Sequence, residues 1–394
     1  PSLYANRVYQ TDASRVKQNA DRSNWEWSPK GPFGVLGEAS YSNWGIVSGR
    51  VRAMAIHPTD PQIVYIGAAS GGLWKTTDGG ETWEDIAPEM ESLTFGALAI
   101  DPINPETIYA GSGEARYFLS PHIYGGKGLY KSINGGNTWE MITDDFGEFT
   151  NFSDITISPH NPEILLAALA SGNFSLGNNL PNEGIWKSTD SGVTWSKTID
   201  LPFACDVKYH PSNEDTAYAS IGGMQEESGF YISSNRGDSW VASNEGLSDP
   251  NIISRILFDI SSSQNNVLYA VAYEPGSNNV WWGTYTNAYK STDGGLNWNQ
   301  ISEGTPLGGK MTSGWYDQGF YDLCIAVDPI DSDHVLIGNV ELHETTDGEF
   351  FSPIRPYGNT LSGSIVHVDY HNIVYAPSNT NYIYIGCDGG IYRS

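Results

Sequence analysis

The sequence predicts an all-β protein, a seven-bladed β-propeller of four-stranded antiparallel blades, and three observations lead to this fold class. A turn motif that ends in tryptophan occurs five times, at intervals of 56, 56, 45 and 58 residues. An apolar run followed by a short turn, usually with proline, occurs seven times. Runs rich in β-branched and aromatic residues lie between these motifs and give four short strands per repeat. Such repeats are typical of propeller blades.

Each repeat opens with an apolar strand, a turn and a second strand that ends in glycine. In the first repeat, the apolar run Met54–Ile56 leads through Pro58 to Ile63–Gly67. A third strand, Gly72–Lys75, precedes the turn motif, and the fourth strand begins at the tryptophan of that motif, Trp83. Seven such openings are visible in the sequence, so seven blades are expected.

The turn motif places an acidic or amide side chain at its third position, close to hydroxyl-bearing residues and glycines. Such a side chain accepts hydrogen bonds from nearby backbone N–H groups, while glycines adopt positive φ at low cost. We therefore expect these side chains to hold the turn between the third and fourth strands, rather than to catalyse a reaction or bind a metal. The five residues at this position are Asp78, Asn134, Asp190, Asn235 and Asp293.

Closure of the ring requires a partner for the last blade, because an open ring exposes strand edges. Residues 365–394 supply three strands, and the sequence around Trp25 is similar to that around Trp83. We expect residues 1–48 to be an N-terminal segment whose strand near Trp25 completes the last blade, and residues 49–394 to form the blades. The alternative is that the chain is the front part of a larger propeller, with further domains of the same chain behind it.

The turn motif resembles the Asp box of the bacterial neuraminidase repeat (BNR) propellers, a group that includes sialidases, sortilin-like receptors and xyloglucanases. The resemblance covers residues 50–394 and implies structural Asp boxes that lie away from the functional face. The stretches Tyr321–Pro329 and His367–Tyr392 are further similar to large secreted Asp-box proteins of Bacteroidetes-type bacteria. That similarity implies type IX secretion, an extracellular or cell-surface location and additional modules of the same chain.

Charge and composition exclude several classes of partner. The chain has 46 acidic residues against 20 Lys and Arg, a formal net charge of −26. Nucleic acid is not an expected partner, because phosphate binding requires clustered basic side chains. Membrane insertion is not expected either, since no apolar run reaches the 18 or so residues that span a bilayer. Three cysteines without paired spacing fit neither a disulfide framework nor a zinc cluster.

Long connections on the face opposite the Asp boxes carry aromatic side chains. Loops of this kind on a rigid scaffold are where binding residues concentrate. Aromatic faces without cationic neighbours suit the C–H faces of sugar rings or a protein ligand better than nucleic acid. The alternative is that these side chains pack among themselves within each loop. The candidate ligand-binding residues are Tyr117, Trp281, Trp282, Trp315 and Tyr316.

An alternating His-Asp-His pattern opens the first strand of the last blade. With a side-chain period of two, His367, Asp369 and His371 would project from one side of that strand, near the mouth of the central channel. Two imidazoles and one carboxylate are a plausible ligand set for a divalent transition metal. The alternative is a polar strand start whose histidines bond to neighbouring blades. We expect no required cofactor and treat a divalent metal as a hypothesis.

Paired carboxyl groups are the general requirement for glycoside hydrolysis. Four acidic residues fall on the loop face, and their spacing does not single out a pair. The sialidase pattern, with an early Arg-Ile-Pro phrase, is absent from this sequence. The resemblance to xyloglucanase-like enzymes implies two carboxylates that face each other across a cleft between two propellers. The candidate catalytic residues are Glu114, Asp317, Asp322 and Asp369.

The sequence thus favours a secreted or cell-surface bacterial propeller that binds a polysaccharide or an extracellular protein through its loop face, as a carbohydrate-binding or adhesion module. The alternative is a glycoside-active enzyme, a hydrolase or a lyase, that uses the loop-face carboxyls or the His-Asp-His set. Function resides in sites added to folds, so the repeat alone does not decide between the two.

Overall fold

A computed structural model describes residues 28–31, 35–36, 46–47, 49–115, 125–143, 146, 150–170, 182–275, 285–301, 318–354 and 366–394. Seven four-stranded antiparallel sheets follow one another along the chain, as predicted. Each sheet is a blade, and its first strand lies innermost, beside the central channel. Within the described residues, no helix is long and apolar enough to cross a membrane.

The first three blades follow the chain order strictly. Blade 1 consists of β4 (Val51–Ile56), β5 (Val64–Ala68), β6 (Leu73–Thr76) and β7 (Glu84–Asp85). Blade 2 consists of β8 (Phe95–Ile100), β9 (Ile108–Ser112), β10 (Leu129–Ser132) and β11 (Glu140–Thr143). Blade 3 consists of β12 (Phe152–Ile157), β13 (Leu165–Leu169), β14 (Gly184–Ser188) and β15 (Ser196–Ile199).

The next three blades repeat this order. Blade 4 consists of β16 (Ala204–Tyr209), β17 (Ala217–Ile221), β18 (Gly229–Ser233) and β19 (Val241–Ala242). Blade 5 consists of β20 (Arg255–Ile260), β21 (Leu268–Glu274), β22 (Tyr285–Ser291) and β23 (Asn299–Gln300), preceded by a single 3₁₀ turn, Pro250–Ile252. Blade 6 consists of β24 (Cys324–Val327), β25 (Val335–Gly338), β26 (Leu342–Thr345) and β27 (Ser352–Ile354).

Blade 7 joins the two ends of the described chain. Its strands are β28 (Tyr370–Tyr375), β29 (Ile383–Cys387), β30 (Gly390–Arg393) and the N-terminal β1 (Ser28–Gly31). Strands β1 and β30 are antiparallel, with Ser28 opposite Arg393. The guanidinium of Arg393 also donates to the carbonyl of Gly79 in blade 1, at 3.0 Å. Ring closure by an N-terminal strand is therefore confirmed, although that strand starts three residues after Trp25, which lies outside the described residues.

A small hairpin precedes blade 1 and was not predicted. It pairs β2 (Val35–Leu36) with β3 (Ile46–Val47).

Glycines at the second strands allow neighbouring blades to pack closely. A Cβ at Gly67 would lie 2.8 Å from the Cβ of Phe95 in the next blade, and one at Gly111 would lie 2.4 Å from the ring of Phe152. Both phenylalanines are completely buried between blades. The glycine that ends the second-strand motif thus provides room for a large apolar residue of the following blade.

Carboxylates on the inner strands tie successive blades together. Asp206 of β16 accepts from the backbone N–H of Phe258 in the next blade at 3.1 Å, and Asp259 of β20 accepts from Val327 at 2.8 Å. The ammonium of Lys208 lies between them and donates to Asp206 at 2.7 Å. These polar bonds satisfy charged groups that face the channel.

The turn between the third and fourth strands is closed by its own side chains. In blade 1, the carboxylate of Asp78 accepts from the Thr76 hydroxyl at 2.7 Å and from the Thr82 backbone N–H at 2.9 Å. Equivalent bonds are made by the other residues at this position, Asn134, Asp190, Asn235 and Asp293. Gly79, which follows Asp78, has φ of 70° and donates to the carbonyl of Gln62. The turns between third and fourth strands therefore lie on the same face of the disc as the turns between first and second strands.

Candidate functional site

A group of polar residues gathers at the opposite face, at the mouth of the central channel. First strands begin there and second strands end there, so side chains from blades 1, 2, 6 and 7 meet. We call this group the mouth cluster. It consists of Arg50, directly before β4; Glu114, just after β9; Tyr321 and Asp322, just before β24; Asp369 and His371, at the start of β28; and Asp388, directly after β29.

Arg50 connects two sides of the mouth. Its guanidinium donates to the phenolic oxygen of Tyr321 at 2.6 Å and to the carboxylate of Glu114 at 2.8 Å. Glu114 is almost completely buried, with 3% of its side chain exposed, whereas Arg50 retains 16%. A charge-assisted bond of this kind fixes the guanidinium and satisfies the buried carboxylate.

Asp388 accepts hydrogen bonds from two other members of the cluster. The Tyr321 hydroxyl lies 2.9 and 2.8 Å from its two oxygens, and the Nε2 atom of His371 lies 2.8 Å from Oδ1. Burial acts to raise the pKa of Asp388, but the hydrogen bonds from His371 and Tyr321 and the positive charge of Arg50 lower it overall. Asp388 is therefore held in its ionised form, with 26% of the side chain exposed.

Asp369 has the opposite electrostatic environment. Burial is the largest cause that raises its pKa, and the negative charge of Asp388 adds to the effect. A hydrogen bond with Asp322 and the charge of His367 oppose the shift without cancelling it. The backbone of Asp369 is in the left-handed region, with φ of 65°. Strained non-glycine positions of this kind concentrate at functional sites.

His371 is buried beneath Asp388. Burial lowers the pKa of its imidazole, Asp388 acts against that shift, and the charges of Arg52 and Arg50 add to it. The Nδ1 atom of His371 is buried and has no hydrogen-bond partner among the described residues. The edge of the Tyr321 ring packs against the imidazole, with ring centroids 4.9 Å apart.

Arg255 supports the segment that carries Tyr321. This fully buried side chain of β20 donates to the carbonyls of Gly319, Tyr321 and Leu323 at 3.3, 3.4 and 3.2 Å. Together with Arg52 and His371, it lines a cavity of about 560 Å³ that runs between the inner strands. The mouth cluster thus lies above a channel that is lined by both polar and apolar side chains.

The structure brings three of the four carboxyl candidates together: Glu114, Asp322 and Asp369 all belong to the mouth cluster. The other candidates lie outside the described residues: Asp317, Tyr117, Trp281, Trp282, Trp315 and Tyr316. Sequence reasoning missed Asp388 as a site residue. Its position could have identified it, because Asp388 lies between the second strand of the last blade and a glycine pair, on the same face as Glu114.

The predicted geometry of the His-Asp-His pattern is wrong. The strand begins at Tyr370, after the first two residues of the pattern, and Asp369 has left-handed φ, so a period of two does not apply. The Nδ1 atom of His367 bonds to the neighbouring carbonyl of Val368 at 2.9 Å, while His371 bonds to Asp388. No group of three His, Cys, Asp or Glu in the described part of the chain could hold a metal ion. A metal here stays a prediction from the sequence.

The chain is similar in sequence to xyloglucanases. No family model matches the chain. Xyloglucanase Xgh74A of Acetivibrio thermocellus is 23% identical over 271 residues, which cover 66% of this chain and 26% of that protein. A xyloglucanase of Paenibacillus sp is 23% identical over 275 residues, 67% of this chain and 22% of that protein. The chain thus spans about a quarter of the length of these relatives.

Solved structures agree on the fold. The GH74 xyloglucanase of Xanthomonas campestris has a TM-score of 0.63 at 17% sequence identity. The match covers 94% of this chain and 53% of the xyloglucanase chain. YCF48 of Cyanidioschyzon merolae has a TM-score of 0.57 at 13% sequence identity. The match covers 93% of this chain and 98% of the YCF48 chain. The protein is therefore a seven-bladed β-propeller whose relatives in sequence include xyloglucanases, which are glycoside hydrolases.

Proposed function

We propose that this propeller acts on a polysaccharide as a glycoside hydrolase, with its reacting carboxyl groups in the mouth cluster. The observation that carries the proposal is the pair formed by Asp369 and Asp388. The pKa of Asp369 is raised and that of Asp388 is lowered, although the two carboxyls influence each other directly. Neighbouring titratable groups with opposite shifts identify an acid and a base.

Glycoside hydrolysis needs a proton donor for the leaving oxygen and an ionised partner that acts on the sugar or on water. Asp369 fits the donor, because burial and the charge of Asp388 keep its proton in place to higher pH. Asp388 fits the ionised partner, because Tyr321 and His371 donate to its carboxylate. The assignment uses only residues that meet at one mouth of the channel, and it differs in this from the cleft between two propellers that the resemblance to xyloglucanase-like enzymes implies.

The relatives support the enzyme over the binding module that the sequence alone favoured. Both sequence relatives described above are xyloglucanases. Xyloglucan, a neutral polysaccharide, is therefore the first substrate to test. A neutral substrate also suits a mouth that contains four carboxyl groups, since an anionic sugar would be repelled by them. A polysaccharide substrate further implies an extracellular or cell-surface location.

A peptide-binding role is the second candidate, and one structural relative favours it. The solved structure of YCF48 bound to D1 peptide has a TM-score of 0.54, and this chain covers 93% of its length. A propeller of similar size and fold thus binds a peptide. If the chain neither binds a glycan nor releases reducing ends from it, binding of extracellular peptides is the function to examine.

Reducing-end release from xyloglucan and other neutral polysaccharides tests the enzyme proposal. We expect Asp369→Asn and Asp388→Asn to lower the rate by about 10²-fold or more, the range of general acid–base catalysis. Asp190→Asn is a matched control, because Asn134 and Asn235 occupy the equivalent turn position in other blades. The proposal fails if the wild-type chain releases no reducing ends, or if both mouth variants retain full activity.

A further inference from the structure

We propose that Tyr321 is a positioning residue for Asp388, and that Arg50 directs the hydroxyl hydrogen of Tyr321 toward that carboxylate. Their role rests on the proposed glycoside hydrolysis, in which Asp388 is the ionised reacting group. It goes beyond that reaction, because it assigns the orientation of Asp388 to two residues that act through it and not on the substrate.

The main chain alone does not fix the direction of the Asp388 carboxylate. Asp388 directly follows β29 and precedes Gly389 and Gly390, which have no side chains to pack against it. Its backbone N–H donates to the carbonyl of Asp369 at 3.2 Å, so the two reacting residues are neighbours. The side chain remains 26% exposed at the mouth, where a sugar or water can contact it. Its direction must therefore come from side chains that bond to its oxygens.

Tyr321 bonds to both oxygens of that carboxylate. Its phenolic oxygen lies 2.9 Å from Oδ1 and 2.8 Å from Oδ2 of Asp388. The Nε2 atom of His371 lies 2.8 Å from Oδ1. A contact to Oδ1 alone would let the carboxylate turn about that oxygen, whereas the phenol also holds Oδ2. The phenol therefore sets the orientation in which Asp388 meets the sugar or water, and such orientation is a large part of catalysis.

Arg50 determines where the phenolic hydrogen points. A guanidinium donates hydrogen bonds and accepts none, so the Tyr321 oxygen is the acceptor in the 2.6 Å bond from Arg50. The ionised carboxylate of Asp388 accepts only, so the single hydroxyl hydrogen of Tyr321 lies on the side of Asp388. The two neighbours thus favour the same hydroxyl position. Hydrogen bonds to charged groups are also stronger than neutral ones.

The segment that carries the phenol is itself held in place. The backbone N–H of Tyr321 donates to the carbonyl of Gln318 at 2.6 Å, and the buried Arg255 donates to the carbonyl of Tyr321 at 3.4 Å. The edge of the Tyr321 ring packs against the imidazole of His371. A residue can orient another only when its own conformation is fixed, and these contacts supply that condition.

Glu114 holds Arg50 from its other side. Its buried carboxylate accepts from Nη2 of Arg50 at 2.8 Å, while Nη1 donates to Tyr321. The planar fork of a guanidinium can serve both partners at once, which the single ammonium of a lysine reproduces poorly. Glu114 therefore supports the positioning of Asp388 and does not itself react with the substrate.

Removal of one hydroxyl tests the role of Tyr321. We expect Tyr321→Phe to lower kcat by about 10- to 10²-fold, with KM changed less than about twofold. Tyr289→Phe is the matched control, because the Tyr289 hydroxyl donates to the buried carboxylate of Glu274 at 2.7 Å, outside the mouth cluster. Both variants lose a bond from a phenol to a carboxylate. Urea unfolding should show similar losses of stability for the two, whereas Tyr289→Phe should keep the wild-type kcat.

Double variants test whether the two residues act through Asp388. Tyr321→Phe should add no further loss of kcat to Asp388→Asn, since the carboxylate that it orients is already gone. Arg50→Lys keeps a positive charge beside Glu114. It should lower kcat less than Tyr321→Phe does and add nothing to that variant. Losses that multiply in either pair would show that Tyr321 or Arg50 acts independently.

Neutron diffraction of the wild-type protein gives a readout without any variant. The hydroxyl deuterium of Tyr321 should lie between the phenolic oxygen and Asp388. A deuterium elsewhere, a wild-type kcat for Tyr321→Phe, or multiplied losses in the double variants would each overturn the positioning role while leaving the hydrolase proposal intact. A wild-type chain that releases no reducing ends would overturn both.

Discussion

Arg50 and Glu114 form an ion pair at 2.8 Å between the start of blade 1 and the end of the second strand of blade 2. The pair joins two blades on the face that carries the mouth cluster. Because Glu114 is the more buried partner, its charge depends on the guanidinium for compensation. The same guanidinium holds the phenol of Tyr321, so the pair also connects the first blades to the sixth.

Glu114→Gln should therefore destabilise the protein. The neutral amide leaves Arg50 with less compensation, and we expect a loss of about 2–3 kcal/mol, below the 3–5 kcal/mol of a fully buried pair, because Arg50 is partly exposed. Urea unfolding followed by fluorescence measures the loss. Glu214→Gln, which removes a partner of the exposed Arg236, is the control and should leave the midpoint unchanged. Equal midpoints for both variants would contradict the prediction.

Asp369→Asn should lower the proposed activity by about 10²-fold or more and yet stabilise the fold at neutral pH. Since the folded-state pKa of Asp369 is raised, the folded protein binds more protons than the unfolded chain, and stability falls as pH rises from about 3.8 through that folded-state pKa. The amide removes this penalty and suits left-handed φ. The stability difference from wild type should be smallest at pH 3 and increase as the pH rises to 7. A difference independent of pH would show that the carboxyl is not responsible.

Deletion of the closing strand should open the ring. Without Ser28–Gly31, strand β30 loses its antiparallel partner and exposes an unpaired edge. Blade 1 also loses the ion pair from Lys30 to Glu81 and the bond from the Trp83 indole to the Lys30 carbonyl. We expect a lower Tm and aggregation that increases with concentration, measured by thermal scanning with light scattering. An unchanged Tm would show that the ring does not depend on this strand.

Two substitutions of Asp190 test whether its side-chain oxygen holds the turn between the third and fourth strands. Its carboxylate accepts from the Ser188 hydroxyl and from the Thr194 backbone N–H and hydroxyl. Asp190→Ala should cost about 1 kcal/mol, the usual value for lost turn and capping bonds. Asp190→Asn should cost less than half of that, because an amide oxygen can keep the bond to the backbone. Equal losses in thermal or urea unfolding would contradict the proposed role of the oxygen.

The repeat made the architecture predictable, because the blades repeat one strand order and five of them share the same turn chemistry. The glycine pair after Asp78 predicts its turn, and Gly67 predicts close packing, from local sequence alone. The mouth cluster was only partly predictable. Its contacts join residues such as Arg50 and Tyr321, which are 271 positions apart, through the closure of the ring. Periodicity also failed at Asp369, because left-handed φ interrupts the strand pattern.

The pairing of Ser28 with Arg393 determines how the propeller can be presented on a surface. Both residues lie at the Asp-box end of blade 7, since Arg393 bonds to Gly79 in an Asp box. A tether attached at either position therefore leaves from the side of the disc that is turned away from Arg50 and Asp388. A propeller immobilised through a side chain beside Arg393 would point its channel mouth toward solution, where a long polymer can approach without steric conflict with the support.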